Sequence, residues 1–424
     1  MHLGFLRGME YNVCNPNECG VNEMMKECFK LAVRKPDAGV ERFEALLGTK
    51  TAQKIRAYHK TFPMYEPTPL VSLADTAKLM GVAGLYVKDE SKRFGLNAFK
   101  VLGGSYAIGS YLAGLLGKDI SEVSCASLCS EETRAKLGDM TFITATDGNH
   151  GRGVAWTATQ FGMKSVVYMP KGSAAERLNN IRAAGAYAEI TDVNYDDTVR
   201  LANAQAQKNG WVVVQDTSWE GYEEIPMHIM QGYCTMALEA YEQLPEKPTH
   251  IFLQAGVGSM AGAVAGLFAL AYGKESPIIT IVEPNKADCM YRTALANDGA
   301  LHAVTGDMDT IMAGLACGEP CPLAWEVLSS SAEFFLSCPD YAAAKGMRML
   351  ASPAGKDEGI VSGESGASAF GCVAEILMNP ELADIRAQLR LDENSRILFF
   401  STEGATDTEN YRAIVWDGKY PSNK

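Results

Sequence analysis

The chain has 424 residues, of which 47% are hydrophobic and 21% charged, a balance that excludes disorder, collagen-like repeats and coiled-coil arrays. Its 38 basic and 51 acidic residues leave a net charge of −13, a surface that repels phosphate backbones and argues against a nucleic-acid partner. The longest apolar run, 261–272, is shorter than the ~18 residues a membrane helix needs.

The N-terminal MHLGFLRGMEYN has neither the apolar core nor the small-residue cleavage site of a signal peptide. Eleven cysteines, an odd number in a chain too long to need staples, fit a reducing compartment, so a cytoplasmic protein is expected. At roughly 150 residues per domain, two or three domains are expected.

Residues 1–65 read as mostly helical and polar, with no legible chemistry. MYEPTPL (64–70) is extended, because each proline pushes its predecessor out of the helical region. A strand–loop–helix rhythm follows. GLYVKDE (84–90) reads as a strand and 99–117 as a helix; MTFITAT (140–146) is a strand feeding a Gly-rich turn and a helix over 151–161. KSVVYMP (164–170) is a strand, 174–185 a helix, 186–191 a strand, 196–210 a helix, and 211–217 a strand. A helix near 226–243 precedes the strands 249–256, 278–284 and 396–404. Such alternation predicts βαβ units and parallel sheets flanked by helices. The expected division is a large domain from 1–110 and 215–424, with a smaller α/β domain inserted at 111–214.

In open parallel sheets, ligands bind where strands end and helices begin, and four such points carry unusual residues. Lysines are ordinarily solvated, but Lys100 lies between Phe99 and Val101 at the mouth of a Gly-rich apolar helix. Desolvation lowers a lysine's pKa and leaves a nucleophilic amine able to form a Schiff base. Thr146-Asp147-Gly148-Asn149-His150-Gly151 reads either as a capped turn or as a close backbone approach to a planar ligand. Gly256-Val257-Gly258-Ser259-Met260 joins a strand to an apolar helix, offering backbone N–H groups and a helix dipole to a phosphate. Its G-x-G-x-x-x-G spacing departs from the dinucleotide pattern, although Glu283 ends the next strand where a ribose partner would stand. Ser401 and Thr402 end the last strand, as local caps or as a partner for a ring nitrogen. A Schiff-base lysine, an amide donor, a phosphate loop and a terminal hydroxyl account for the polar groups of pyridoxal phosphate.

At that point the chain resembles the fold-type II pyridoxal-phosphate enzymes, the tryptophan synthase β and threonine dehydratase group, from about residue 60 to its end. KDESKRFGLNAFKVLGGSYA (88–107), TATDGNHGRGVAW (144–156), VVVQDTSWEGYEEIP (212–226), LQAGVGSMAGAVAG (253–266) and STEGATD (401–407) carry the likeness. The resemblance implies two open, twisted, mostly parallel sheets flanked by helices, and a homodimer. It makes Lys100 the Schiff-base lysine with Phe99 beside it, and Asn149 the partner of the cofactor's phenolic oxygen. Gly256, Val257, Gly258, Ser259 and Met260 would hold the phosphate, and Thr402 or else Ser401 the pyridine nitrogen. Where dehydratases of the family read Ser-Ala-Gly-Asn-His, this chain reads Thr-Asp-Gly-Asn-His, so Asp147 comes beside the cofactor; Asp216 is a second carboxylate. Carboxylates suit a β-ammonium substrate, and at ~4 Å the attraction is about 4 kcal/mol at an effective dielectric of 20. With these carboxylates, the resemblance implies elimination of ammonia from 2,3-diaminopropionate, D and L, to give pyruvate. Serine or threonine dehydration on the same fold, a nicotinamide oxidoreductase built on Gly256–Gly262 and Glu283, and a catalytically silent cofactor-binding protein are the alternatives. Pairing of Cys289 with Cys317 is left open, and no metal is expected.

Overall fold

The computed structural model describes residues 11–12, 29–146 and 148–422. Its strands, in chain order, are β1 (Tyr11–Asn12), β2 (Lys30–Val33), β3 (Leu70–Ser72), β4 (Gly84–Asp89), β5 (Thr141–Ala145) and β6 (Lys164–Met169), then β7 (Tyr187–Ile190), β8 (Val212–Val213), β9 (His250–Gln254), β10 (Ile278–Pro284), β11 (Phe334–Cys338) and β12 (Arg396–Ser401). Eight form one sheet in the order β1-β2-β11-β10-β9-β12-β4-β3, and four form a second in the order β7-β6-β5-β8. The second sheet is parallel throughout. In the first, β11, β10, β9, β12 and β4 run parallel, while β1–β2, β2–β11 and β3–β4 are antiparallel.

The large sheet is covered on both faces, and its strands show why. Along β12, Leu398 and Phe400 belong to one apolar cluster and Ile397 and Phe399 to the other. That is the period of two of a strand whose two faces are both buried, and it accounts for the unbroken apolar reading of RILFFS. The small sheet repeats the arrangement, with Val166 and Tyr168 on one side and Val167 and Met169 on the other.

The expectation of a mostly helical N-terminal segment falls in part on residues 1–10 and 13–28, which lie outside the described residues. Among the described residues, Lys30–Val33 is a strand that pairs antiparallel with β11, and helical turns follow at Val40–Phe43, Glu44–Leu47 and Thr49–His59. A four-residue strand is stabilised by its partner rather than by its own pattern. The stretch 211–217 contributes only Val212–Val213 as strand; beyond it the chain turns toward the site.

Two helices carry residues expected to act. Val101–Leu115 begins directly after Lys100, and Asn149–Gln160 begins at Asn149. They touch backbone to backbone: a Cβ on Gly153 would lie 2.9 Å from the Val101 Cα. Among the described residues no helix is long and apolar enough to cross a membrane.

Candidate active site

One cleft is lined by Phe99, Lys100, Thr146, Asn149, Asp216, Gln254, the loop 255–261, Thr402 and Glu403, among others. Strand ends supply most of its walls: β5 leads into Thr146, β9 into 255–258, and β12 into Thr402. The strand-end segment after β12 also anchors the lysine. Phe99 N–H donates to the Thr402 carbonyl at 3.0 Å and Gly404 N–H to the Asn97 carbonyl at 3.0 Å, so Thr402 and Lys100 are held in one local frame.

Lys100 Nζ donates to Asp216 Oδ2, with the lysine side chain 17% and the aspartate 4% exposed. Tyr195 donates its hydroxyl to Asp216 Oδ1 at 3.2 Å and accepts from Gln215 Nε2 at 2.9 Å. Burial pushes the Asp216 carboxyl up, but the Lys100 charge, then that of His150, and the hydrogen bonds from Lys100 and Tyr195 outweigh it and hold the pKa well below the ordinary value. Asp216 is thus a buried, ionised carboxylate. It does not cap a helix, since the next one starts only at Glu224. His150, read from sequence as structural, ties Nε2 to the Val214 carbonyl at 2.7 Å.

The loop after β9 opens the helix Ser259–Tyr272, whose first N–H groups have no intrahelical partner and carry the positive end of the dipole. Ser259 Oγ donates to the Asp216 carbonyl at 2.6 Å, linking this loop to the carboxylate. Gly258 has φ +97°, and a Cβ there would lie 2.4 Å from Met290 Cε. Its lack of a side chain is therefore demanded by the fold as well as by any ligand.

At the other end of the cleft, Gln254 Nε2 donates to the Phe400 carbonyl at 2.8 Å and to Thr402 Oγ1 at 2.9 Å. The carbonyl can only accept, which fixes the orientation of the amide. With its oxygen accepting from Gln254, the Thr402 hydroxyl keeps its hydrogen to donate. Ser401 instead donates to Ser362 Oγ at 2.8 Å and does not line the cleft.

The donor set fits pyridoxal phosphate: an amine beside an aromatic ring, a helix N-terminus after a glycine pair, an amide, and a hydroxyl with a hydrogen to give. Phe99, Lys100, Asn149, Gly256, Val257, Gly258, Ser259, Met260, Asp216 and Thr402 all line the same cleft. Asp147 lies outside the described residues. Sequence reading missed Tyr195 and Glu403. Tyr195 opens a helix of the small-sheet region with no local motif, and Glu403 differs from any strand-end acid only by being 2% exposed.

Other candidates are placed elsewhere. Glu283 is fully buried and accepts from the Met290 and Tyr291 N–H groups at 2.9 and 2.7 Å, capping the helix Cys289–Ala296 rather than facing a ribose. Cys289 and Cys317 are thiols, not joined to each other. Among the described residues no cluster of three or more His, Cys, Asp or Glu could hold a metal.

Comparison with known proteins agrees with this chemistry. The family model of pyridoxal-phosphate-dependent enzymes matches residues 61–402. Diaminopropionate ammonia-lyase from Salmonella typhimurium is 50% identical over 404 residues, 94% of this chain and 100% of that protein. Its counterpart from Escherichia coli is 51% identical over 88% of this chain and 94% of that protein. The crystal structure of the Escherichia coli enzyme in complex with an aminoacrylate–pyridoxal phosphate azomethine reaction intermediate superposes with a TM-score of 0.85 at 48% identity, covering 93% of this chain and 98% of that one. The chain belongs to the pyridoxal-phosphate-dependent enzyme family, of fold type II, in its diaminopropionate ammonia-lyase group.

Proposed function

We propose that this protein catalyses the pyridoxal-phosphate-dependent α,β-elimination of 2,3-diaminopropionate, D and L, to pyruvate and ammonia. The observation that carries the reading is the buried ion pair of Lys100 with Asp216 inside the cleft. With Lys100 committed to holding the cofactor, Asp216 would remain a buried carboxylate beside the cleft, where a further cation would be favoured. A substrate with a β-ammonium group supplies that charge; a β-hydroxyl substrate does not. This favours the diamino acid over serine and threonine.

Bound pyridoxal phosphate supplies the electron sink that stabilises negative charge at the substrate's Cα. Lys100 would supply the amine that holds the cofactor and, when free, a base on one face of the substrate's Cα. Asp216 orients the β-ammonium group and is close enough to Lys100 to exchange a proton with it. Asn149 donates to the cofactor's phenolic oxygen. The N–H groups of 256–260 hold the phosphate, and Thr402, neutral and with a hydrogen to give, meets the pyridine nitrogen without forcing it to be protonated. Phe99 closes the wall beside the lysine, its ring centroid 5.7 Å from Nζ. Asp147 is the base for the enantiomer whose Cα hydrogen faces away from Lys100.

The proposed division keeps 111–214 as a smaller inserted domain, which contains all four strands of the small sheet. A cytoplasmic homodimer completes the reading, from the family resemblance and the cysteine usage.

The anchoring role of Lys100 is tested by borohydride reduction of the holoprotein followed by peptide mass analysis. The cofactor should be fixed to the peptide carrying Lys100. Lys100→Ala should lack the visible band of the lysine-bound cofactor and nearly all turnover while keeping its fold. Arginine would not restore either, since a guanidinium stays protonated. Full activity in Lys100→Ala would end the assignment.

A further inference from the structure

We propose that Glu403 is a positioning residue that fixes the Asn149 carboxamide so that its nitrogen, not its oxygen, is committed to the carboxylate and its second hydrogen is what it offers to a ligand oxygen. The inference rests on the reading that Asn149 meets the cofactor.

Glu403 is buried, and its backbone is held on both sides: it forms an isolated antiparallel bridge with Ala98, and its carbonyl accepts from Gly363 N–H at 2.9 Å. Its side chain is served by three donors. Oε1 accepts from Ser365 N–H at 3.2 Å, and Oε2 accepts from Asn149 Nδ2 and from Thr406 Oγ1 at 3.4 Å. Ser365 lies in the first turn of the helix Glu364–Met378, so the carboxylate spans the N-termini of two helices, that one and Asn149–Gln160.

A carboxamide is nearly symmetric in shape, and only its partners decide which end is which. An Asn149 oxygen turned to Glu403 would set acceptor against acceptor in a buried site. The acceptor oxygens of Glu403 therefore select the Nδ2 end. One Nδ2 hydrogen is spent on Glu403, and the other belongs to the cleft that both residues line. A ligand atom meeting it must be an acceptor, as a phenolic oxygen is. Glu403 acts through Asn149, which makes it a determinant of cofactor binding rather than of the chemical step.

The test is a double-mutant cycle on the substrate-free protein. The dissociation constant for pyridoxal phosphate and the position of its visible band are measured in the parent, Glu403→Gln, Asn149→Ala and the double variant. Glutamine brings one acceptor oxygen where glutamate brings two, so Ser365 N–H and Asn149 Nδ2 compete for it. Glu403→Gln should weaken cofactor binding roughly tenfold, the scale of a hydrogen bond to a charged group, and move the band. In the Asn149→Ala background the same change should add almost nothing. Glu403→Asp, which keeps the charge but stops one methylene short of Asn149, should behave like Glu403→Gln and serves if the glutamine variant does not fold. An equal penalty in both backgrounds would mean that Glu403 acts independently of Asn149, and a parent-like Glu403→Asp would equally overturn the proposal. If Asn149→Ala itself left both readouts unchanged, the failure would lie in the underlying assignment of Asn149.

Discussion

Lys100 and Asp216 would each be costly to bury alone, and inside the cleft they form an ion pair. Lys100, Asn149 and Thr402 were legible in the sequence because each stands where a strand ends or a helix begins, next to glycine or an apolar run. Tyr195 and Glu403 were not, since their meaning comes from partners far along the chain: Asp216 for one, Asn149 for the other. Gly258 was legible as a loop glycine, but for only half the reason. With φ +97° and Met290 pressed against it, Gly258→Ala should cost the cofactor-free protein about 1–3 kcal/mol from backbone strain alone, measured by denaturant unfolding, besides weakening cofactor retention. An alanine variant as stable as the parent would show that the loop relaxes freely. Asp147 carries a stereochemical prediction. Lys100 reaches one face of Cα, so turnover of both enantiomers needs a second base. Asp147→Asn should lose D-diaminopropionate turnover by ~100-fold or more, the scale of a general base, with a smaller loss for the L isomer. Pyruvate release from each pure enantiomer decides it; equal losses would assign Asp147 a shared electrostatic role.

At the level of elements, periodicity located the strands β4, β5, β6, β9, β10 and β12 and the helices that follow the site loops. It passed over β2 and β11. Phe334–Cys338 is apolar on both faces, and so short a buried run has no period that separates strand from helix. Three helices around the lysine are joined by a buried histidine, which sequence did not single out. His59, at the end of Thr49–His59, has Nδ1 2.7 Å from Thr235 Oγ1 and Nε2 3.1 Å from the Leu102 carbonyl. Burial, then the charge of Arg93, lowers its pKa from 6.5 to about 3. Between these values the unfolded chain binds the extra proton, so stability is lost as pH falls from about 6.5 toward 3, by up to ~1.4 kcal/mol per pH unit. His59→Gln, which cannot titrate, should lack that component. Denaturant unfolding of parent and variant from about pH 4 to pH 7 should show the parent losing stability relative to the variant on the acid side. Parallel curves would mean that His59 is not held neutral by the fold.

Across the whole molecule, two twisted sheets bring the ends of β5, β9 and β12 to one cleft, and Thr146 and Thr402, 256 residues apart in sequence, line it together. The alternation of strands and helices was enough to expect parallel sheets. The antiparallel edges of the large sheet were not legible, because edge pairing depends on where β2 and β3 dock rather than on their composition. On the proposed reading, this cleft is charged for a substrate with a β-ammonium group. The most direct test is pyruvate release by the purified holoprotein from 2,3-diaminopropionate and from serine, assayed side by side. With Asp216 awaiting a cation, kcat/KM should favour diaminopropionate by at least about tenfold, the equivalent of ~1.4 kcal/mol of differential stabilisation. A preference for serine, or no release of pyruvate from diaminopropionate, would contradict it.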